Sequence, residues 1–378
     1  MGRENSATGD GGEGAHNMLR DQLTGQRENK AQKQARDLVR QMLKDKKSFA
    51  VWGAGATGKS TLDFLKQASD GVLVPQCIVD NNQALWGQNH IVSPGDFMKA
   101  EPLPERMIVS VYVADQVIAQ LKDMGYTGEI IDLNVHLADD LWDFYESHMD
   151  ELEELYLLLA DSQSRETLAG FLNGVRENDA EYFRRINGNS KEKLLDPKIM
   201  KYTDEEFFVD VGAFTGDTIR EFLELTGNKY LKIVGIEPDR KNYEVLKANI
   251  GKWGLGNISS ENVAVGETDG ITHFMTDMSE SSHRAKSGGQ EIQMRRLDTM
   301  EELQDLTVLK VSTNGCDLQA LQGARSLILR NRPKISTYAS GMLLWEIPEY
   351  LHKLVPEYKI YCRHYGTGIQ AMICYAVC

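Results

Sequence analysis

The sequence predicts an α/β protein of two Rossmann-like domains, the second closing on an antiparallel hairpin. Three observations carry this. Short apolar runs alternate with helix-patterned stretches, first over residues 46–135 and again from Glu206 onward. Each series opens on a strand that runs straight into a glycine-bearing turn, Gly53-Ala54-Gly55 in the first and Gly212-Ala213-Phe214 in the second. The chain ends on two apolar runs, Tyr358–His364 and Ile369–Val377, separated by Tyr365-Gly366-Thr367-Gly368, which reads as a hairpin tip.

Taken in order, residues 1–45 are expected to be a mobile tail followed by a helix. The tail is rich in Gly, Glu, Asn, Asp and Gln without apolar period, and Ala35, Leu38, Val39, Met42 and Leu43 then line one helical face. Strands are predicted at Ser48–Trp52, Gln76–Val79, Met107–Val111 and Glu129–Ile131. Residues 136–200 read as a helical linker. Within it, Ala138–Ser164 carries nine acids and no Lys or Arg, with Leu141, Tyr145, Leu152, Leu155, Tyr156 and Leu159 recurring every three or four positions. That pattern predicts one acidic amphipathic helix with a solvated face; a homodimerisation helix is the sharper alternative. Residues 201–378 form the second domain, with strands at Phe207–Val211, Lys232–Ile236, Ser260–Val265, Val308–Ser312 and Lys334–Ala339.

The composition narrows the function. The 378 residues suffice for two domains with real cores, and 41% hydrophobic with 26% charged residues is the soluble globular class. A net charge of -14 supplies no general attraction for nucleic acid or an anionic membrane, so neither is expected as a partner. The five cysteines are scattered and never spaced as CxxC, which fits reduced thiols and predicts no zinc or other metal site. No apolar run approaches membrane-spanning length and no secretory leader pattern opens the sequence, so the expected location is cytoplasmic.

The strongest local signal is Val209-Asp210-Val211-Gly212-Ala213-Phe214-Thr215-Gly216-Asp217-Thr218. Gly212 lets the backbone turn sharply beside a ligand, and the helix beyond it offers free amides. A second strand ends in Gly235-Ile236-Glu237-Pro238, and an acid at that tip can accept both hydroxyls of a ribose. The dinucleotide pattern G-x-G-x-x-G is absent here. An acid before the turn suits the ammonium of S-adenosylmethionine, which NAD lacks.

These residues resemble the FkbM family of S-adenosylmethionine-dependent methyltransferases. The likeness runs from Phe207 to Tyr375 through Asp210–Ala213, Gly235–Pro238, Asn262–Gly266, Arg296–Asp298, Leu309–Val311 with Gly315, Trp345–Pro348 and Tyr361–Tyr365. The resemblance implies a class I methyltransferase fold and S-adenosylmethionine as cofactor. It also implies an acceptor that is a small molecule or a glycan, methylated on oxygen. It places Asp210, Gly212, Ala213, Phe214, Thr215, Gly216 and Asp217 at the methionine end, Glu237 and Pro238 at the ribose, and Asn262, Ala264 and Val265 near the adenine.

The sequence departs from the family after Val311. Where the family reads Asp-Val-Glu-Gly-Ala-Glu, this chain reads Ser312-Thr313-Asn314-Gly315-Cys316-Asp317, and Ala339 stands where a histidine is usual. The ready general bases and oxygen ligands are thereby lost. Ser312, Asn314, Tyr338 and His364 remain as catalytic candidates. The alternative is a cofactor-binding or regulatory module without the ordinary chemistry.

In the first domain, Gly53-Ala54-Gly55-Ala56-Thr57-Gly58-Lys59-Ser60 fits both G-x-G-x-x-G and the P-loop form. Asp80, 22 residues after Gly58, favours a nucleotide-type site on Gly53, Gly55, Gly58 and Asp80, whereas Met107–Tyr112 ends without the Mg²⁺-binding acid of an ATPase. The stretch also resembles small Rossmann-like domains found beside sugar acyltransferases, which implies either a nucleotide or nucleotide sugar as ligand or a module for packing and recognition alone.

Overall fold

A computed structural model describes residues 18–24, 30–111, 114–133, 141–188, 193–275, 283–285, 290–366 and 372–378. Helices α1 (Met18–Gln22) and α2 (Lys30–Asp45) precede the first sheet. That sheet holds β1 (Phe49–Trp52), β2 (Ile78–Val79), β3 (Ile91–Val92), β4 (Arg106–Val109) and β5 (Glu129–Asp132). Their order is β3-β2-β1-β4-β5, all parallel. The crossovers include α3 (Ala56–Ala68), α4 (Pro94–Phe97) and α5 (Ala114–Asp123). The four residues of β1 and of β4 are all buried, which is why they read as unbroken apolar runs rather than alternating ones.

Five helices follow: α6 (Leu141–Glu146), α7 (Met149–Leu158), α8 (Ser162–Glu177), α9 (Ala180–Arg185) and α10 (Pro197–Met200). Where one acidic helix was expected, the chain breaks twice. The end of α6 is capped by Ser147 Oγ and His148 Nδ1, each 2.8 Å from the Phe144 carbonyl. Leu159 is extended, and Asp161 caps α8 by accepting from the Ser164 amide. The acidic face is solvated as expected at Asp143, Glu146, Asp150, Glu151 and Glu154, and the apolar face is covered. Trp142, Tyr145, Leu152, Leu155 and Tyr156 are buried in one core with Leu344, Ile347 and Leu351, and Glu153 is itself buried, 3.4 Å from Arg20.

The expectation of a wholly mobile tail needs correcting as well. Residues 1–17 lie outside the described residues, but Leu19 of α1 is fully buried in that core. Gln22 donates to the Tyr156 hydroxyl, while Asn173 and Arg176 donate to the carbonyls of Gln22 and Leu23. Charge-rich sequence around one buried leucine hides such docking from any periodicity test.

The second unit contains β6 (Phe207–Val211), α11 (Asp217–Thr226), β7 (Lys232–Ile236), α12 (Arg240–Trp253), β8 (Ile258–Glu261), β9 (Ala264–Val265), β10 (Gly270–Met275), β11 (His283–Ala285) and β12 (Gln290–Arg295). It continues with β13 (Val308–Val311), α13 (Asp317–Gln322), α14 (Arg325–Asn331), β14 (Lys334–Tyr338), α15 (Leu343–Leu354), β15 (Lys359–His364) and β16 (Met372–Val377). The main sheet runs β15-β16-β14-β13-β6-β7-β8, parallel except for β16, which is antiparallel to both neighbours. The C-terminal hairpin was expected; its tip at 367–371 lies outside the described residues.

One predicted strand, Ser260–Val265, divides into β8 and β9 because the Asn262 side chain donates to the carbonyls of Glu237 and Pro238 and turns the chain between them. The freed end, β9, joins a separate sheet of order β11-β10-β12-β9. That sheet has no counterpart among the strands expected from the sequence. Its strands are short and largely polar, and Ile271 is exposed, so they carry no readable apolar alternation.

Candidate functional site

Parallel α/β sheets bind ligands beyond the carboxyl ends of their strands. In the second unit that rim is formed by the ends of β6, β7 and β13. Gly212, at φ +76°, begins the turn after β6, and a Cβ there would stand 1.9 Å from the Ser312 carbonyl oxygen. Only glycine lets the two strand ends approach so closely. Gly216, at φ +92°, precedes α11, where a Cβ would press on Trp253 and Leu246. The turn between them is held by Gly216 N donating to Ala213 O (2.7 Å) and by Asn249 donating to Thr215 O (2.9 Å). Phe214 takes a left-handed φ of +48° at its apex, with its ring partly exposed.

Glu237 ties this turn to β7. Its two carboxylate oxygens accept from the amides of Phe214 and Asp239, both at 2.8 Å. The side chain is only 5% exposed, and burial pushes its carboxyl up to about 7. Two backbone donors orient it while leaving each oxygen a second lone pair for a ligand hydroxyl. Pro238 and Asn262 buttress the same corner, with Asn262 Nδ2 donating to Glu237 O (2.8 Å) and Pro238 O (3.0 Å). Ala264 and Val265 are buried in β9, against Met294 and Arg295 of β12.

Asp210 is placed differently from the expectation. It was taken as a direct anchor for a ligand's ammonium, but it is fully buried within β6 and its charge is met by Lys310 Nζ at 2.7 Å. Burial raises its carboxyl above the ordinary range, against the pull of Lys310. Lys310 sits directly opposite on β13 and donates at 2.8 Å to the Gly212 carbonyl. Asp210 is thus linked to the turn through Lys310. Asp217, the first residue of α11, is the acid of this stretch that the fold leaves at the helix N-terminus.

The catalytic candidates stand at the ends of β13, β14 and β15 and on the loop after β13. Ser312 is half-buried at the end of β13 and contributes the carbonyl that packs on Gly212. Asn314 is exposed, at φ +51°. Tyr338 ends β14 with Lys193 Nζ 5.1 Å from its ring centre. His364 is buried away from the turn, stacked on Phe183 at 5.4 Å and 20°. Its ring lies under α8 and α9, against Phe171 and Phe183.

Two residues that shape the site were missed. Lys310 reads as an ordinary strand residue until its register opposite Asp210 is known. Asp317 is buried and accepts from the amides of Thr313 (2.9 Å) and Gly315 (3.3 Å), so the acid remaining in the departed motif holds its own loop. Among the described residues no group of three or more His, Cys, Asp or Glu is placed to hold a metal ion.

The first unit presents a related rim. Gly53, at φ +126°, packs on the Ser110 carbonyl, where a Cβ would stand at 2.4 Å, and Gly58 packs on the Gly53 carbonyl at 1.9 Å. Asp80 accepts from the amides of Ala54 and Asn82, both at 2.8 Å. Because α3 already begins at Ala56 and Gly58 closes on Gly53, the turn is too tight for the wide phosphate cradle of a P-loop.

The observed residues fit the nucleoside end of S-adenosylmethionine: an oriented acid at the second strand tip beside a glycine turn and a helix N-terminus. The family match agrees with that chemistry. Residues 210–359 match the family model described as Methyltransferase FkbM domain. No curated protein matches the sequence. The solved structure of the methyltransferase FkbM from Methylobacillus flagellatus KT superposes over 96% of this chain and 97% of its own, with a TM-score of 0.61 at 19% identity, a likeness of fold. A precorrin-6y C5,15-methyltransferase from Geobacter metallireducens GS-15 aligns over 51% of this chain and 90% of its own, with a TM-score of 0.33 at 11% identity. Over residues 210–359 the chain is thus similar to the FkbM domain of the S-adenosylmethionine-dependent methyltransferases.

Proposed function

We propose that this protein transfers a methyl group from S-adenosylmethionine to an oxygen of a small molecule or glycan. The observation that carries the reading is Glu237, held by the Phe214 and Asp239 amides at the tip of β7 where a ribose diol would be accepted. The cofactor supplies a sulfonium methyl group that a nucleophile can take directly. The chain's own residues bind and orient. Gly212 and Gly216 shape the turn, Asp210 fixes it through Lys310, and Asp217 offers a carboxylate to the amino-acid end. Ser312 and Asn314, on the neighbouring rim, are hydrogen-bonding groups for an acceptor rather than bases.

With Asp317 engaged by its loop and His364 under the helices, catalysis falls to positioning of an acceptor that is already nucleophilic. The same observation favours a second reading, a cofactor-binding module that has lost turnover. Incubating the full chain with labelled S-adenosylmethionine and extracts of its host cell separates them. Labelled product that disappears in Glu237→Ala supports the enzyme. Cofactor binding without product, unchanged after restoring Asp at 312, Glu at 314 and His at 339, supports the module. We propose a location away from membranes and an acceptor other than nucleic acid on the net charge of -14. Among the described residues no helix is long and apolar enough to cross a membrane.

A further inference from the structure

Cys362 on β15 and Cys374 on β16 take no part in the candidate site, yet the fold sets them directly opposite each other. Their phase in the ladder follows from where the main chain points. Along β15 the even-numbered residues turn away from β16. The Ile360 carbonyl accepts from the Ala160 amide (2.8 Å), the Cys362 amide donates to Ser164 Oγ (3.1 Å), and the His364 carbonyl accepts from the Gly188 amide (2.7 Å). Along β16 the even-numbered residues turn toward β14, as the Met372 carbonyl does in accepting from the Ala339 amide (3.0 Å). Cys362 and Cys374 are therefore a non-hydrogen-bonded pair of an antiparallel ladder, the type whose Cα atoms lie about 4.5 Å apart and whose side chains stand closest. Both side chains belong to the core that also holds the buried residues of α8 and α15. Disulfides span Cα separations of roughly 4.4–6.8 Å, so this pair can be joined with little movement of the backbone. It stands at the short end of that range, where a bond is readily reduced again.

Neither thiol is reactive where it lies. Both are buried, and burial pushes the Cys362 thiol up to about 12 and the Cys374 thiol well above its ordinary value. The thiolate is the attacking species in disulfide exchange, so the reaction has to pass through openings of the hairpin that wet both sulfurs. β15 is the last strand of its sheet, so such an opening disturbs one ladder and not two.

We propose that Cys362 and Cys374 form a reversible cross-strand disulfide that staples β15 to β16 when the chain meets a disulfide oxidant such as oxidised glutathione. In the first step one cysteine, its proton lost to solvent, attacks a glutathione sulfur. A protein–glutathione disulfide forms and one glutathione thiolate leaves. In the second step the other cysteine, likewise deprotonated, attacks the protein sulfur of that mixed disulfide. The Cys362–Cys374 bond forms and the second glutathione thiolate leaves. Two protein thiols are thereby oxidised, and one oxidised glutathione is reduced to two thiols. The staple fixes the strand on which the start of α8 rests, through Ala160 and Ser164. Nothing in this chemistry depends on the cofactor site.

The test is incubation of the full chain with oxidised glutathione, followed by alkylation of the remaining thiols in denaturant, proteolysis and mass spectrometry. The peptides of Cys362 and Cys374 should be recovered joined, lighter by two hydrogens than the sum of their free forms. Urea below the unfolding transition should speed the linkage by about tenfold or more, since the hairpin has to open first. An excess of reduced glutathione should return both thiols. Cys378→Ser, which removes an exposed alternative partner, should leave the linkage intact. Cys362→Ala and Cys374→Ala should each leave the other cysteine unlinked, and mapping of the parent chain decides the matter even where a variant fails to fold. The proposal is overturned if both cysteines are recovered alkylated after incubation in urea below the transition. It is equally overturned if they pair with Cys77, Cys316 or Cys378 instead of each other, or if the link withstands excess reduced glutathione.

Discussion

Lys310 and Asp210 face each other across β13 and β6 at 2.7 Å, both almost wholly removed from solvent. Lys310→Ile strands a buried carboxylate, a change that costs about 3–5 kcal/mol when the partner charge is lost. The stranded Asp210, already pushed up by burial, escapes part of the cost by holding a proton. A raised carboxyl stabilises the fold below its ordinary pKa and loses that contribution as pH rises, so the deficit grows from acid toward neutral conditions. The double variant Asp210→Val with Lys310→Ile installs the apolar pair that the first sheet carries at the same register, Val51 opposite Ile108. It should return to within about 1.5 kcal/mol of the parent. Urea unfolding followed by tryptophan fluorescence measures all four chains. A Lys310→Ile loss below about 1 kcal/mol, or a double variant showing the sum of both single losses, would refute the coupling.

Three further outcomes follow from the same contacts. Gly212→Ala drives a Cβ into the Ser312 carbonyl at a left-handed φ, so it should lose about 3 kcal/mol or more, or fail to fold; a melting temperature equal to the parent's would contradict the packing. Glu237, raised from 4.5 to about 7, contributes stability below 4.5 that is lost as pH rises through 7. Glu237→Gln should accordingly gain on the parent by up to about 3 kcal/mol from acid to mildly alkaline pH, and a pH-independent difference would count against the buried carboxylate. His364→Phe, which keeps a ring against Phe183, should leave methyl transfer within about threefold; a loss of about a hundredfold or more, the scale of a general base, would restore His364 to catalysis.

Both parallel sheets were legible because their buried strands are unbroken apolar runs, as Phe49–Trp52 and Val308–Val311 show, each followed by turn glycines. The hairpin was legible from Gly366 and its flanking runs. The docking of α1 was not, since one leucine carries it. The four-stranded sheet was hidden by its polar, part-exposed strands, and the split at Asn262 depends on a side chain reaching the β7 corner 25 residues earlier in the chain. At the candidate site, the glycines and Glu237 stood out because local backbone geometry demands their residue types. The engagement of Asp210 by Lys310 and the removal of His364 under α8 and α9 are tertiary facts, set by register and layer rather than by neighbours in sequence.

We propose that Glu237 at the tip of β7 holds the cofactor's ribose. Titration of the full chain and of Glu237→Ala with S-adenosylhomocysteine tests it most directly. The parent should bind one equivalent, and the variant, still folded by its melting curve, should bind about tenfold or more weakly. A parent that does not bind, or a folded variant that binds as tightly as the parent, would contradict it.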